Sequence, residues 1–416
     1  MEGQGGQLTV ISHIESDHSL SDPPSPERRQ PTGIWSGLAL TLAAWLGCRV
    51  VVAAAWGPAR NPFSFSTAQW VHSDSINYLG IAAHGRVFGR CGSPEFPDNA
   101  LIRLWHLKWC GNAGWLPGYP WLMAAMHWTG ISFSDAGVII SWIATAVAIF
   151  LVWFEWGRDL PPLRAFTVLL LFGIFPGSVY NFAVFPTSTA LACVVAAIVA
   201  ATRKRFFTMA LLMCLAGLCY PTAWFSALGL TGGLILVALP LGRSAVVQRA
   251  LWGLAGLSSL VIIGILDQIA FGQPLAYWVL DSNAADSLAA TLHQLYQIFV
   301  SRDTIEQKRM GSRSAPLYSV QVVVALALPI AAVAVTARQW FRHRRDALNI
   351  YPALVGFTLI VALVFTNNTW NRGVVLAAPC TVCLRRLPLP LLWAIVLVVG
   401  ATTALVSRSF FNGAFF

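Results

Sequence analysis

The stretch Ile34–Trp56, IWSGLALTLAAWLGCRVVVAAAW, decides the fold, because it is long enough to cross a bilayer and Arg49 is its one charge. A helix needs about 20 predominantly apolar residues to cross the hydrocarbon. This segment exceeds the apolar core of a signal peptide and carries no small-residue cleavage site, so it reads as a retained anchor. Ten more apolar runs follow: Asp135–Trp156, Ala165–Val184, Thr187–Thr202, Phe206–Thr222, Trp224–Pro240, Ala250–Phe271, Pro316–Thr336, Ile350–Thr366, Gly373–Leu384 and Pro388–Val406. The sequence therefore predicts an all-α polytopic membrane protein, a bundle of about 11 transmembrane helices. The composition agrees: 416 residues, 56% hydrophobic, only 11% charged, mean hydropathy +0.64.

A net charge of +10 raises nucleic acid as a partner, but the basic residues sit in short clusters between the spans. These are Arg28/Arg29, Arg158/Arg164, Arg203-Lys204-Arg205, Arg243/Arg249, Arg338 to Arg345 and Arg385/Arg386. Such clusters mark cytoplasmic loops. With the N-terminus inside, alternation through the eleven runs puts every cluster on the cytoplasmic side. No nucleic acid is implied; the partner is the membrane. Residues 1–33, rich in Ser, Pro, Gly and charge, read as a disordered cytoplasmic tail, residues 34–406 as the membrane domain, and residues 407–416 as an outside C-terminal tail. Leu116–Trp128 is apolar but short, and as a span it would invert two basic clusters. It reads as an interfacial or re-entrant helix.

Two outside segments, 57–115 and 272–315, are too long to be simple connectors. The second contains Ser287–Val300, with apolar residues at helical spacing, which predicts an amphipathic surface helix. The first contains Trp70-Val71-His72-Ser73-Asp74-Ser75-Ile76-Asn77-Tyr78-Leu79-Gly80-Ile81-Ala82, an acid in a chain that largely avoids carboxylates. Asp74 has two readings. It caps a short juxtamembrane helix, or it is a general base whose acidity partial burial tunes. His72, His84 and Asp98 are weaker alternatives in the same loop. Cys91 and Cys110, in that loop and on an oxidising side, are predicted to pair as a disulfide. Cys380-Thr381-Val382-Cys383 lies in an apolar run with no second pair, so it reads as small buried hydrophobes rather than a metal site.

Further along, Trp115-Leu116-Pro117-Gly118-Tyr119-Pro120-Trp121-Leu122 combines a proline-fixed helix entry with clustered aromatics. Asp267 sits near the outer end of a span, before Tyr277 and Trp278. An ionisable group there is a functional-site hypothesis by default. Arg372, in a short outside loop, runs against the charge bias. It either snorkels to headgroups or binds a phosphate through its planar fork. Arg302 and Arg309 belong to a second basic group on the same face. Asn367-Asn368-Thr369 fits a glycosylation sequon.

Taken together, these motifs resemble the polyprenyl-phosphate-sugar-dependent glycosyltransferases of the GT-C superfamily, most closely the PIG-V-like mannosyltransferases. The acidic motif followed by Tyr-Leu-x-Ile-Ala and His-Gly is similar to Asp74 through Tyr78-Leu79-Gly80-Ile81-Ala82-Ala83-His84-Gly85. The aromatic-Pro-x-Tyr-Pro segment looks like Trp115 through Leu122, and the Phe-Gly-x-Pro-Leu-Ala-aromatic segment like Phe271 through Tyr277 with Trp278. Phe175-Pro176-Gly177-Ser178 looks like the family's Phe-Pro-x-Ser opening. Two elements depart from the family pattern. Val184-Phe185-Pro186-Thr187-Ser188-Thr189-Ala190-Leu191 has no acid, and Cys219-Tyr220-Pro221-Thr222-Ala223 has no Arg.

The resemblance implies a sugar, mannose first, moved from a polyprenyl-phosphate donor to a lipid or glycolipid acceptor on the outside face, with inversion. Asp74 would be the base and Arg372 the phosphate contact, with Arg302 and Arg309 nearby. Trp70, His72, Tyr78, His84, Trp115, Tyr119, Asp267, Tyr277 and Trp278 would line the substrate. No cofactor is indicated, and the residues are silent on divalent-metal dependence. Two other classes compete: a flippase for polar lipids, which predicts ionisable residues near mid-membrane and repeat symmetry, and an inactive assembly subunit that keeps the fold.

Overall fold

The structure, a computed structural model, describes residues 33–54, 67–72, 74–98, 108–274, 276–282, 315–343, 347–366 and 370–411. The N-terminal tail, the amphipathic segment Ser287–Val300, Arg302, Arg309 and the sequon lie outside them.

The first helix, α1 (Ile34–Ala54), shows how a membrane helix packs. Leu38, Leu42, Leu46 and Val50 recur every four residues and are exposed, while Gly37, Thr41, Ala44 and Cys48 on the other face are buried. Large side chains turn outward and small ones inward, because helices in lipid gain by backbone approach rather than by hiding apolar surface from water.

After α1 come the 3-10 turn Thr67–Trp70, α2 (Ser75–His84) and a small antiparallel ribbon of β1 (Phe88–Arg90) and β2 (Trp109–Gly111), in register Gly89 opposite Cys110. Cys91 and Cys110 are joined by a disulfide across the base of this ribbon. Helix α3 (Gly118–His127) follows, and its 10 residues rise only about 15 Å, half of what a bilayer requires. It is held by close backbone approach: a side chain at Gly118 would lie 2.8 Å from the Leu218 carbonyl.

The main bundle contains α4 (Phe133–Val152), continued by a π turn over Trp153–Gly157, then α5 (Pro162–Gly173), α6 (Thr187–Thr202), α7 (Phe206–Cys219), α8 (Ala223–Ala238), α9 (Arg243–Ala255), α10 (Ser258–Phe271) and α11 (Ala276–Ser282). The chain closes with α12 (Ala315–His343), α13 (Ala347–Thr366), the short α14 (Trp370–Gly373), a 3-10 segment Val374–Arg386 and α15 (Leu389–Phe411). Among the described residues six helices are long and apolar enough to cross a membrane, with α9 and α10 counted as one and α4 with its π turn. Four shorter apolar helices, α5, α6, α7 and the Leu348–Leu363 part of α13, join them. With the 3-10 segment these make eleven apolar segments among the described residues, and the chain is an all-α polytopic membrane protein.

Two segments differ from the expected helices. Ala165–Val184 is not one span: α5 stops at Gly173, and Gly177, at φ 88°, starts a 3-10 turn over Ser178–Asn181. Every residue from 167 to 190 is buried. Irregular backbone is tolerated at membrane depth only when protein satisfies it. Here Trp142 Nε1–H donates to Phe182 O at 3.0 Å, Thr145 Oγ1–H to Asn181 O at 2.8 Å and Thr187 Oγ1–H to Tyr180 O at 2.9 Å.

The second is Gly373–Leu384, expected as a short helix. The 3-10 winding of Val374–Arg386 rises about 2.0 Å per residue, so its 13 residues extend about 26 Å where an α-helix would give about 20 Å. All but the last are buried, Cys380 and Cys383 among them. The segment packs against α13, α12 and α5. At one end Arg164 Nη1–H donates to the carbonyls of Arg385 and Leu387 (3.1 and 2.9 Å), and Arg385 donates to Asn349. Its other end carries Arg372.

Candidate active site

Helix α2 is entered through a tight turn in which the buried Ser75 accepts from the His72 N–H at 3.2 Å and donates its own N–H to His72 O at 3.0 Å. Asp74 occupies the N-cap position, but its backbone is already helical (φ −61°, ψ −13°) and its side chain makes no capping bond. The carboxylate instead forms an ion pair with Arg372. Both side chains are less than a fifth exposed, 17% for Asp74 and 18% for Arg372. The loop that follows α1 and the head of the buried 3-10 segment therefore meet at one charge pair.

Aromatic groups surround the pair. The Arg372 guanidinium lies 5.8 Å from the Phe185 ring centre, and the hydroxyls of Tyr220, Tyr78 and Tyr180 lie within its electrostatic reach. Burial works to lower the Arg372 pKa, but the Asp74 carboxylate beside it outweighs this and raises it, so the group stays charged. Tyr78 is pushed well above its usual range, chiefly by burial, with Arg372 opposing the rise and Asp74 adding to it, and Tyr277 lies close by. It is a neutral phenol at any working pH. Four of the chain's eight tyrosines thus gather here, which makes the surroundings rich in neutral hydroxyls.

Tyr119 packs edge-on against Tyr78 at 5.9 Å, but its hydroxyl is committed, donating to Gly137 O at 2.7 Å with Ser141 Oγ at 3.0 Å. His72 bonds Gln69 O through Nε2 at 2.8 Å and packs on Phe410 at 4.7 Å. Trp70 is fully buried and packs on Phe411 at 5.4 Å. The C-terminal tail was expected to begin at residue 407. Helix α15 instead continues to Phe411, because Phe410 and Phe411 bury themselves against Trp70, His72 and Tyr180. Trp115 is half-buried at the edge of the core. His84 is exposed at the far end of α2, roughly 15 Å along the helix from Asp74.

Asp267 is fully buried, and both its oxygens are used: Oδ1 accepts from Arg86 Nη1–H at 2.5 Å and Oδ2 from the Tyr277 N–H at 2.8 Å. Arg86 also donates to Ala113 O at 2.6 Å. This carboxylate ties the loop that follows α2 to the start of α11 and sets Tyr277, which packs on Trp224 at 5.5 Å and Trp278 at 5.2 Å. Trp278 stays 44% exposed, so its indole is available to a ligand or to lipid.

Three contributors had no reading as site residues. Tyr180 and Tyr220 sit in apolar runs, and Arg86 follows His84-Gly85 with no other signal. Arg49, the lone charge of the first span, is buried among indoles, 3.9 Å from the Trp142 ring centre and 5.7 Å from those of Trp45 and Trp70. That is cation–π packing, and it braces Trp70 just ahead of Asp74. Among the described residues no three of His, Cys, Asp and Glu converge at one point.

No protein-family model and no curated protein matches this sequence. Among solved structures, the chain is similar to the Archaeoglobus fulgidus oligosaccharyltransferase, crystallised in complex with zinc and sulfate, with a TM-score of 0.48 and 12% sequence identity. The match covers 90% of this chain and 53% of that one, so the chain spans about half the length of this neighbour.

Proposed function

We propose that the protein is a membrane glycosyltransferase of the GT-C type, moving a hexose, mannose first, from a polyprenyl-phosphate donor to a hydroxyl of a lipid or glycolipid on the non-cytoplasmic face. The observation that carries this reading is the meeting of Asp74 and Arg372 among neutral tyrosines. The motif order from Asp74 to Trp278 supplies the family resemblance.

In the reaction, Asp74 takes the proton of the acceptor hydroxyl. The acceptor oxygen attacks the anomeric carbon from the face opposite the phosphate, and the carbon–oxygen bond to phosphate breaks with its electron pair, inverting the centre. Arg372, permanently charged, balances the negative charge growing on the leaving phosphate. Tyr78, Tyr180 and Tyr220, as neutral phenols, offer hydrogen bonds to sugar hydroxyls, and exposed Trp278 offers an apolar face to the isoprenoid chain.

The donor class is tested with purified protein in liposomes, given labelled mannose on polyprenyl phosphate or on a nucleotide. Label is expected to move to acceptor lipid from the polyprenyl donor alone. Transfer only from the nucleotide sugar would refute the donor assignment, and movement of intact donor between leaflets without transfer would favour a flippase.

A further inference from the structure

Asp74 and Arg372 have different tasks in the reaction above, yet here each is occupied by the other. Asp74 Oδ2, the oxygen facing Arg372, is buried with no further hydrogen bond, and Arg372 Nε is buried with none among the described residues. A carboxylate held by a guanidinium is a weak base, since taking a proton means giving up the ion pair. A guanidinium held by a carboxylate is likewise unavailable to a phosphate. Both tasks cannot be performed while the pair is intact.

We propose that the donor phosphate exchanges with Asp74 at Arg372, so that donor binding itself releases the base and must precede deprotonation of the acceptor. The inference rests on the transferase reading. A phosphate offers the guanidinium a geometric match at least as good as a carboxylate, through two oxygens on the arginine fork, and the vacant Nε supplies a further donor. As the bond to the anomeric carbon breaks, the phosphate gains negative charge and holds Arg372 more tightly, which keeps Asp74 free during proton transfer. Asp74 ends the step as a neutral acid carrying the acceptor's proton. When polyprenyl phosphate leaves, the bare guanidinium favours the ionised carboxyl, the proton passes to water and the pair re-forms. The exchange thus resets the base without another residue.

The test uses the full chain in phosphatidylcholine nanodiscs and labelled polyprenyl phosphate without sugar, comparing wild type, Asp74→Asn and Arg372→Gln. A binding group blocked by an internal competitor shows an affinity reduced by the unblocked fraction. Asp74→Asn is therefore expected to bind the lipid phosphate about tenfold more tightly than wild type, and Arg372→Gln to lose binding. Asp74→Ala carries the same expectation, which guards against the Asn amide oxygen holding Arg372. Equal or weaker binding by both Asp74 variants, with binding still lost in Arg372→Gln, overturns the exchange and leaves the phosphate contact standing. Wild-type binding by Arg372→Gln overturns both. Inorganic phosphate tested alone is expected to follow the same rank order, since the headgroup charge is what Arg372 reads. Insensitivity of inorganic phosphate to all three substitutions, with the lipid showing the expected order, would assign the exchange to the lipid phosphate alone.

Discussion

Asp74→Asn is expected to lower sugar transfer by about 10²–10⁴-fold, the usual contribution of a positioned general base. The substitution keeps the shape of the side chain and removes its ability to accept a proton. Because α2 makes no capping bond to this side chain, the helix start loses nothing, and the defect falls on turnover. The donor KM is expected not to rise, since no attraction to donor is removed. A capping role would leave turnover per folded molecule unchanged, so that the whole effect would fall on stability. Rates normalised to folded protein, with a thermal melt of each variant, separate the two.

The largest expected effect on stability lies at Asp267. Asp267→Ala removes the carboxylate partner of the nearly buried Arg86 and the acceptor of the Tyr277 N–H at once. Breaking one side of a buried ion pair costs about 3–5 kcal/mol, because the remaining charge keeps its desolvation penalty. Asp267→Asn should cost less, since its amide oxygen can still accept. The measurement is the unfolding temperature of the protein in detergent or nanodiscs. A melt of Asp267→Ala indistinguishable from wild type would show that this tie between Arg86 and Tyr277 is not structural.

Most of the membrane architecture was legible because apolar run length is a direct readout of bilayer thickness. The shortness of α3 could be judged from Leu116–Trp128 for the same reason. What escaped the sequence was how apolar chain is wound once protein, rather than lipid, surrounds it. Ala165–Val184 is apolar enough for a helix, but the side chains and carbonyls around Tyr180 satisfy a broken backbone equally well. Val374–Arg386 is too short for an ordinary span, and its 3-10 winding lengthens it beyond what an α-helix of the same residues would reach.

The candidate site was legible in its charges and less so in its lining. Asp74 and Arg372 each stood out as ions out of keeping with their loops, but their contact depends on two segments far apart in sequence. Asp267 was visible as an acid at a span end, while its partner Arg86 and its anchoring of Tyr277 depend on tertiary structure. Tyr180 and Tyr220 carried no signal, since a tyrosine in an apolar run reads as core. Tyr220 lies within electrostatic reach of Arg372, a cation that comes from another part of the chain.

The central claim is that Asp74 and Arg372 act as one unit on one transferred sugar, and a double-substitution cycle on transfer tests it most directly. Rates from labelled polyprenyl phosphomannose are compared for wild type, Asp74→Asn, Arg372→Gln and the double variant. Residues that serve one transition state are strongly non-additive, so the double variant is expected to be little worse than the poorer single variant. Losses that simply multiply, or single variants that transfer sugar at the wild-type rate, would contradict the account.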